Sequence, residues 1–175
     1  MDLRQKKTQR AITQAFYALR KQKKLEAITV TELCAQAEIS KATFYLHYRD
    51  IFDLSDRLQN EVITSIFSHI DDPMTILTDS TGFLRSCVRA VEQESERINI
   101  LFADGQLGTL PVRILQHLKA HIFTHAPHLA HDPRVQVLLT YHVMGSYYAC
   151  MENPNGIGYK QILKILEDLP PFPVQ

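Results

Sequence analysis

"ITVTELCAQAEISKATFYLHYRDIFDL", Ile28 to Leu54, decides how this 175-residue chain is read. Its "TVTE", Thr29 to Glu32, is a helix start signal: the threonine hydroxyl can take the Glu32 amide while the Glu32 carboxylate returns to the Thr29 amide, a capping box. The helix that begins there ends near Ala37. After a turn of about three residues, Ser40 can cap a second, short helix carrying Lys41 to Tyr48. Val30, Leu33, Ala37, Ile39 and Phe44 are spaced to pack inward, and Cys34 is small enough to let the second helix come close. Lys41, Thr43, Tyr45, Leu46 and His47 are then left on the outer side, where they can reach base edges and phosphates. Tyr48, one turn after Phe44, turns inward with its hydroxyl toward a phosphate. The order helix, tight turn, helix is that of a helix-turn-helix, whose second helix enters the major groove of DNA.

Outward from this stretch, apolar residues recur at three and four positions and strand alternation is absent, so the expected fold class is all-α. A first helix over about Leu3 to Lys24, capped by Asp2, carries Ile12, Phe16 and Leu19 as its apolar stripe. A helix from about Ile51 to Ile70 buries Leu54, Leu58, Val62, Ile66 and Ile70, and another from Ser80 to Phe102 buries Leu84, Val88, Val91 and Ile98. Pro111 opens a further helix that Pro127 ends; Asp132 and Pro133 start one that runs to Glu152, and a last short helix spans Tyr159 to Leu169.

Charge is distributed unevenly. The net charge is zero, yet residues 1–49 hold ten Lys and Arg against Asp2, Glu26, Glu32 and Glu38, so that end carries +6 and the remainder −6. The run "RKQKK" lies where a helix C-terminus favours cations. Arg4, Lys6, Lys7 and Arg10 sit at the opposite, unfavourable end and call for an external anion. The three cysteines are far apart and signal neither disulfide nor thiolate metal site, and no apolar run has the roughly 18 residues of a membrane span. With no apolar leader in "MDLRQKKTQR", a cytoplasmic protein is expected.

Ile28 to Leu54, with one helix before it and one after, resembles the DNA-binding signature of the tetracycline-repressor (TetR) family of transcriptional regulators. The resemblance implies a helix-turn-helix DNA-binding domain over residues 1–50 and a helical ligand-binding and dimerisation domain over 51–175, with the helix from Ile51 as connector. It also implies a homodimer on a palindromic double-stranded operator, released by a small-molecule inducer, with no cofactor and no membrane. Carried over by position, Lys41, Thr43, Tyr45, Leu46 and His47 match recognition-helix contacts, and Thr29 and Ser40 match cap residues at phosphates, with Lys6 and Lys7 adding phosphate contacts. Two positions depart from the pattern. Glu38 stands where the family usually has glycine, and "RDIFDL" lacks the lysine often found at the start of the fourth helix.

The chain has other features that bear on function. His117, His121 and His125 share a helix face, with His128, His131 and Asp132 close behind; they could hold zinc or nickel in a metal-responsive regulator, but the plainer reading is a polar face. Phe67, Phe83, Phe102, Phe123 and Tyr141 are candidates to line an inducer pocket, though aromatic residues at helical spacing more often form core. No glycine-rich phosphate loop, nucleophile elbow or paired carboxylates suggest an enzyme, and "EQESE", Glu92 to Glu96, reads as a solvated face. A protein that keeps the fold without binding DNA would have no reason to keep a cationic N-terminus. Finally, Leu138, Leu139 and Tyr147, with Ile162 and Leu166 of the last helix, exceed what one chain can bury and are expected at a two-fold interface.

Overall fold

The computed structural model describes residues 3–151, 156–158, 161–162, 164–165 and 168. Among these every regular element is helical: α1 (Leu3–Arg20), α2 (Val30–Gln36), α3 (Lys41–Tyr45), α4 (Ile51–Ser68), α5 (Ser80–Gln93), α6 (Ser95–Leu101), α7 (Thr109–His125) and α8 (Pro133–Met151). Short 3-10 turns at Leu25–Ala27, Pro73–Leu77, Gln106–Gly108 and Pro127–His131 join some of them. No helix among the described residues is long and apolar enough to cross a membrane. The expected cap Asp2, the expected helix end at Glu152, the ends of the last helix at Tyr159 and Leu169, and Leu166 lie outside the described residues.

The helices gather into two compact units. The first comprises Met1–Val62 with Ser95–Leu107, the second Ile63–Glu94 with Gly108–Gln175. The first unit therefore runs past position 50, through most of α4, and takes in a segment from the middle of the chain. Its core is built on Ile12, Phe16, Leu33, Phe44, Leu54 and Leu101, all fully or almost fully buried. The second unit buries Ile66, Phe83, Ala90, Leu118, Ile122 and Leu139.

The single helix expected over Ser80 to Phe102 is in fact two. Glu94 leaves helical geometry at φ −95°, ψ 7°. Its buried carboxylate accepts a 2.6 Å hydrogen bond from the Ser65 hydroxyl of α4, so a polar side chain is satisfied at the bend. Periodicity could not show this break, because α5 and α6 are each amphipathic on their own.

Residues 95–107 are held in the first unit by the buried side chains of Ile98, Leu101 and Phe102 and by a set of polar contacts. Arg20, at the end of α1, pairs with Asp104 at 2.9 Å and donates to the carbonyls of Ile100 and Lys23, both at 3.1 Å. Lys21 pairs with Glu96 at 2.8 Å, and Arg97 donates to the Tyr17 hydroxyl at 3.1 Å. Gln59, buried in α4, donates to the Leu101 carbonyl at 2.8 Å and to Gln106 at 2.9 Å. Asp104 adopts a left-handed backbone (φ 61°), which turns its carboxylate toward Arg20 within a tight reversal shared with Gly105 (φ 82°).

Candidate nucleic-acid interface

The segment from α2 through the turn to α3 is assembled by local hydrogen bonds. At the start of α2 the Thr29 hydroxyl accepts from the Glu32 amide at 3.2 Å, as expected. The reciprocal half of the capping box is absent, and the Glu32 carboxylate instead accepts from the Lys23 ammonium at 2.7 Å. A lysine that sequence alone assigned to the dipole of the first helix is thus fixed to the neighbouring helix instead.

Glu38 makes the turn. Its φ is 54°, the left-handed conformation that glycine supplies without strain. The Ile39 amide donates to the Cys34 carbonyl at 3.0 Å and the Glu38 amide to Ala35 at 3.3 Å, the paired bonds of a Schellman motif. The turn is therefore kept despite the missing glycine, and the carboxylate side chain is exposed. Glu38→Gly should leave the melting temperature unchanged or raise stability by up to about 1 kcal/mol, since it removes the Cβ clash at a left-handed position. A clear drop in thermal melting would show that the Glu38 side chain has a stabilising role that outweighs its backbone strain.

The short helix that follows is sorted by burial with a period of four. Lys41, Ala42, Tyr45 and Leu46 are exposed, Thr43 and His47 are half-buried, and Phe44 and Tyr48 are buried. Phe44 has no exposed surface and meets Tyr45 edge-on at 5.5 Å and Tyr48 at 5.7 Å between ring centroids. The Ser40 hydroxyl accepts from the Thr43 amide at 3.0 Å and bonds the Thr43 hydroxyl at 2.8 Å, so both groups are engaged within the protein. Tyr48 packs inward as expected, at 6% exposure, and so belongs to the core rather than to the outer face expected to meet DNA. Burial pushes its phenol pKa upward, with Glu61 adding to the effect, and the Arg57 guanidinium lies over its ring at 5.3 Å. Its place is beneath the outer face.

Ile51, the first residue of α4, is buried. Next to it, Asp50 accepts from the Asp53 amide at 2.7 Å, and Asp53 accepts from the Arg49 amide at 3.0 Å. The Asp53 carboxyl is held below its ordinary range, first by that backbone donor and then by Arg57, which pairs with it at 3.1 Å. Arg49 touches Asp53 at 3.4 Å but leaves its side chain 85% exposed. It thus offers an exposed cation between α3 and α4. The sequence counts Arg49 as charge without a place on this surface, although "YRD" puts it shortly after the short helix α3.

The basic residues of α1 and of the turn after it divide into two groups. Arg20, Lys21 and Lys23 are all engaged in ion pairs inside the first unit. Lys6, Lys7 and Arg10 are exposed, and no ion pair among the described residues engages them. The side chain of Arg4 lies outside the described residues.

Other candidate groups are not brought together. His117 is half-buried with its ring on Phe67 at 4.4 Å, and burial lowers its pKa, as does His121. His121 and His125 stack at 4.3 Å, with the His125 Nδ1 against the His121 carbonyl at 2.8 Å. Among the described residues no group of three or more His, Cys, Asp or Glu is placed to hold a metal ion. Of the aromatic residues considered for a pocket, Phe67 and Phe83 are buried in the second unit, Phe123 is half-buried, and Tyr141 is 50% exposed. Phe102 is fully buried and belongs to the first unit. Cys34 and Cys87 are buried free thiols, and burial pushes Cys87 up to about 12, so it is an inert apolar filler.

The residues expected at a two-fold interface separate as well. Leu139 and Ile162 are buried inside the second unit, Leu138 and Tyr147 are half-buried, and Leu166 lies outside the described residues. The exposed apolar side chains of α8 are instead Val137 at 68%, Tyr141 at 50% and Tyr148 at 47%. Their spacing of four and seven puts them on one helical face. Because α8 is apolar around much of its circumference, only packing shows which stripe is left out.

No family model, curated protein or solved structure matched this chain.

Proposed function

We propose that this chain is a DNA-binding transcriptional regulator of the TetR type, acting in the cytoplasm as a homodimer on a palindromic operator and released by a small molecule. The observation that carries the reading is the period-four burial of α3. Phe44 and Tyr48 anchor it, and Lys41, Ala42, Tyr45 and Leu46 form an outer face shaped to enter a groove. The uncommitted cations Lys6, Lys7 and Arg10 of α1, with Arg49 after α3, support it by supplying charge for phosphates. Catalysis has no comparable support on this surface.

Dimerisation is assigned to the Val137, Tyr141 and Tyr148 face of α8, because large apolar side chains aligned on one helix suit a second copy of the same helix. A two-fold axis would set the two recognition helices about 34–36 Å apart, one turn of DNA. An inducer would then act by binding more tightly to a form in which that spacing is wrong.

Selection of bound duplexes from a random library, followed by gel shift, tests the function. A recovered palindrome supports it, whereas salt-sensitive binding with no sequence preference would sink it. Val137→Glu should give a monomer by light scattering and lose operator affinity while keeping its fold by circular dichroism, since Val137 makes little contact within its own chain. If that variant remains dimeric, the interface lies elsewhere.

A further inference from the structure

We infer that Leu46 reads the C5-methyl group of a thymine in each operator half-site, so that the operator is selected partly by apolar contact. The inference rests on the DNA-binding function proposed above. Leu46 is 83% exposed, the highest value among the exposed large apolar side chains. Among the described residues of the first unit those side chains are Tyr45, Leu46 and Phe52, all between positions 45 and 52, so they cluster at the end proposed to read DNA.

The chemistry of the outer face narrows what it can read. From Lys41 to Tyr48 the sequence is KATFYLHY, with no arginine to grip guanine, no asparagine or glutamine to grip adenine, and no carboxylate to accept from cytosine. The Thr43 hydroxyl is already bonded to Ser40. Lys41 can bridge the O6 and N7 of a guanine, while Tyr45 and His47 can each make one hydrogen bond without a two-point match to a base. The remaining outward groups are the methyl of Ala42 and the side chain of Leu46. The Leu46 amide donates to the Ala42 carbonyl at 3.2 Å, so the two lie one turn apart on the same face, and Leu46 keeps a helical backbone at φ −69°, ψ −22°. They form one apolar strip flanked by the exposed cations Lys41 and Arg49. In the major groove the only apolar group a base pair offers is the thymine methyl. The charges draw the strip to a polyanion, and the strip then has one kind of partner.

The experiment uses the full-length protein and duplexes recovered by selection. Each thymine of the site is replaced in turn, in both half-sites, by deoxyuridine, which removes the methyl and keeps every hydrogen-bonding group. One thymine per half-site should prove sensitive, with a loss of about fourfold per methyl and about fifteenfold for the symmetric pair. Leu46→Ala should fold normally, bind the thymine site more weakly, and no longer distinguish thymine from deoxyuridine at that position. The inference is overturned if every deoxyuridine duplex binds the wild type as well as the original, or if Leu46→Ala keeps the discrimination. A selection that returns no preferred sequence overturns the function itself, and this inference with it, and is told apart because no operator then exists to modify.

Discussion

Arg20→Ala should melt about 10 °C below the wild type, the largest loss expected from any single polar substitution in this chain. The Arg20 side chain is 1% exposed and its charge is balanced by Asp104, whose side chain is 27% exposed. Removing the guanidinium leaves that carboxylate and the carbonyls of Ile100 and Lys23 without their donor, in a place where water has limited access. Breaking a buried pair from one side costs about 3–5 kcal/mol, which in a chain of this length corresponds to the shift stated. Asp104→Asn should also destabilise, because it leaves the buried Arg20 guanidinium without a counter-charge, although asparagine keeps an acceptor and tolerates the left-handed backbone. Lys21→Ala should change stability by no more than about 0.5 kcal/mol, since its pair with Glu96 is solvent-exposed. Differential scanning calorimetry of the three variants would rank them; an Arg20→Ala protein melting within about 2 °C of the wild type would mean that 95–107 is held by its apolar contacts alone.

The second large effect is on DNA. Lys6→Ala combined with Lys7→Ala should weaken binding to operator and to random duplex alike by about a thousandfold near 0.15 M salt, with the difference vanishing toward 1 M. Each phosphate neutralised releases counterions and contributes about 0.9 to the slope of log affinity against log salt. Two lysines in each of two protomers make four such contacts, so the slope should fall by about 3.6. Lys21→Ala is the control, because Lys21 is already engaged by Glu96 and should leave the slope as it was. Titrations by fluorescence anisotropy at several salt concentrations measure this directly. An unchanged slope in the double variant would remove the N-terminal half of α1 from the interface.

How far the sequence could be read depended on the range of the interactions involved. The caps at Thr29 and Ser40 act within three residues, and both formed as the sequence suggested. The left-handed turn at Glu38 is closed by bonds to Cys34 and Ala35, only a few positions away, and survives an unfavourable residue for that reason. Sorting the face of α3 needed only the helical period and the size of Phe44. Where a competing partner stood outside the local window, the reading failed: Glu32 left its capping box for Lys23, nine positions earlier in the chain.

An all-helical chain with a helix-turn-helix pattern near its N-terminus and an unbalanced cationic end follows from the sequence by itself, because backbone hydrogen bonds, caps and charge counts are local or additive. Tertiary structure alone decided that the helix expected over Ser80 to Phe102 breaks at Glu94, that residues 95–107 join the first unit, and that Arg20 spends its charge on Asp104, 84 positions away. It also decided that Leu139 faces inward on α8 while Val137 and Tyr141 face out. A helix that is apolar around most of its surface carries no mark of which stripe will be covered, and a cation carries no mark of its partner; both are settled by which surfaces meet when the core closes.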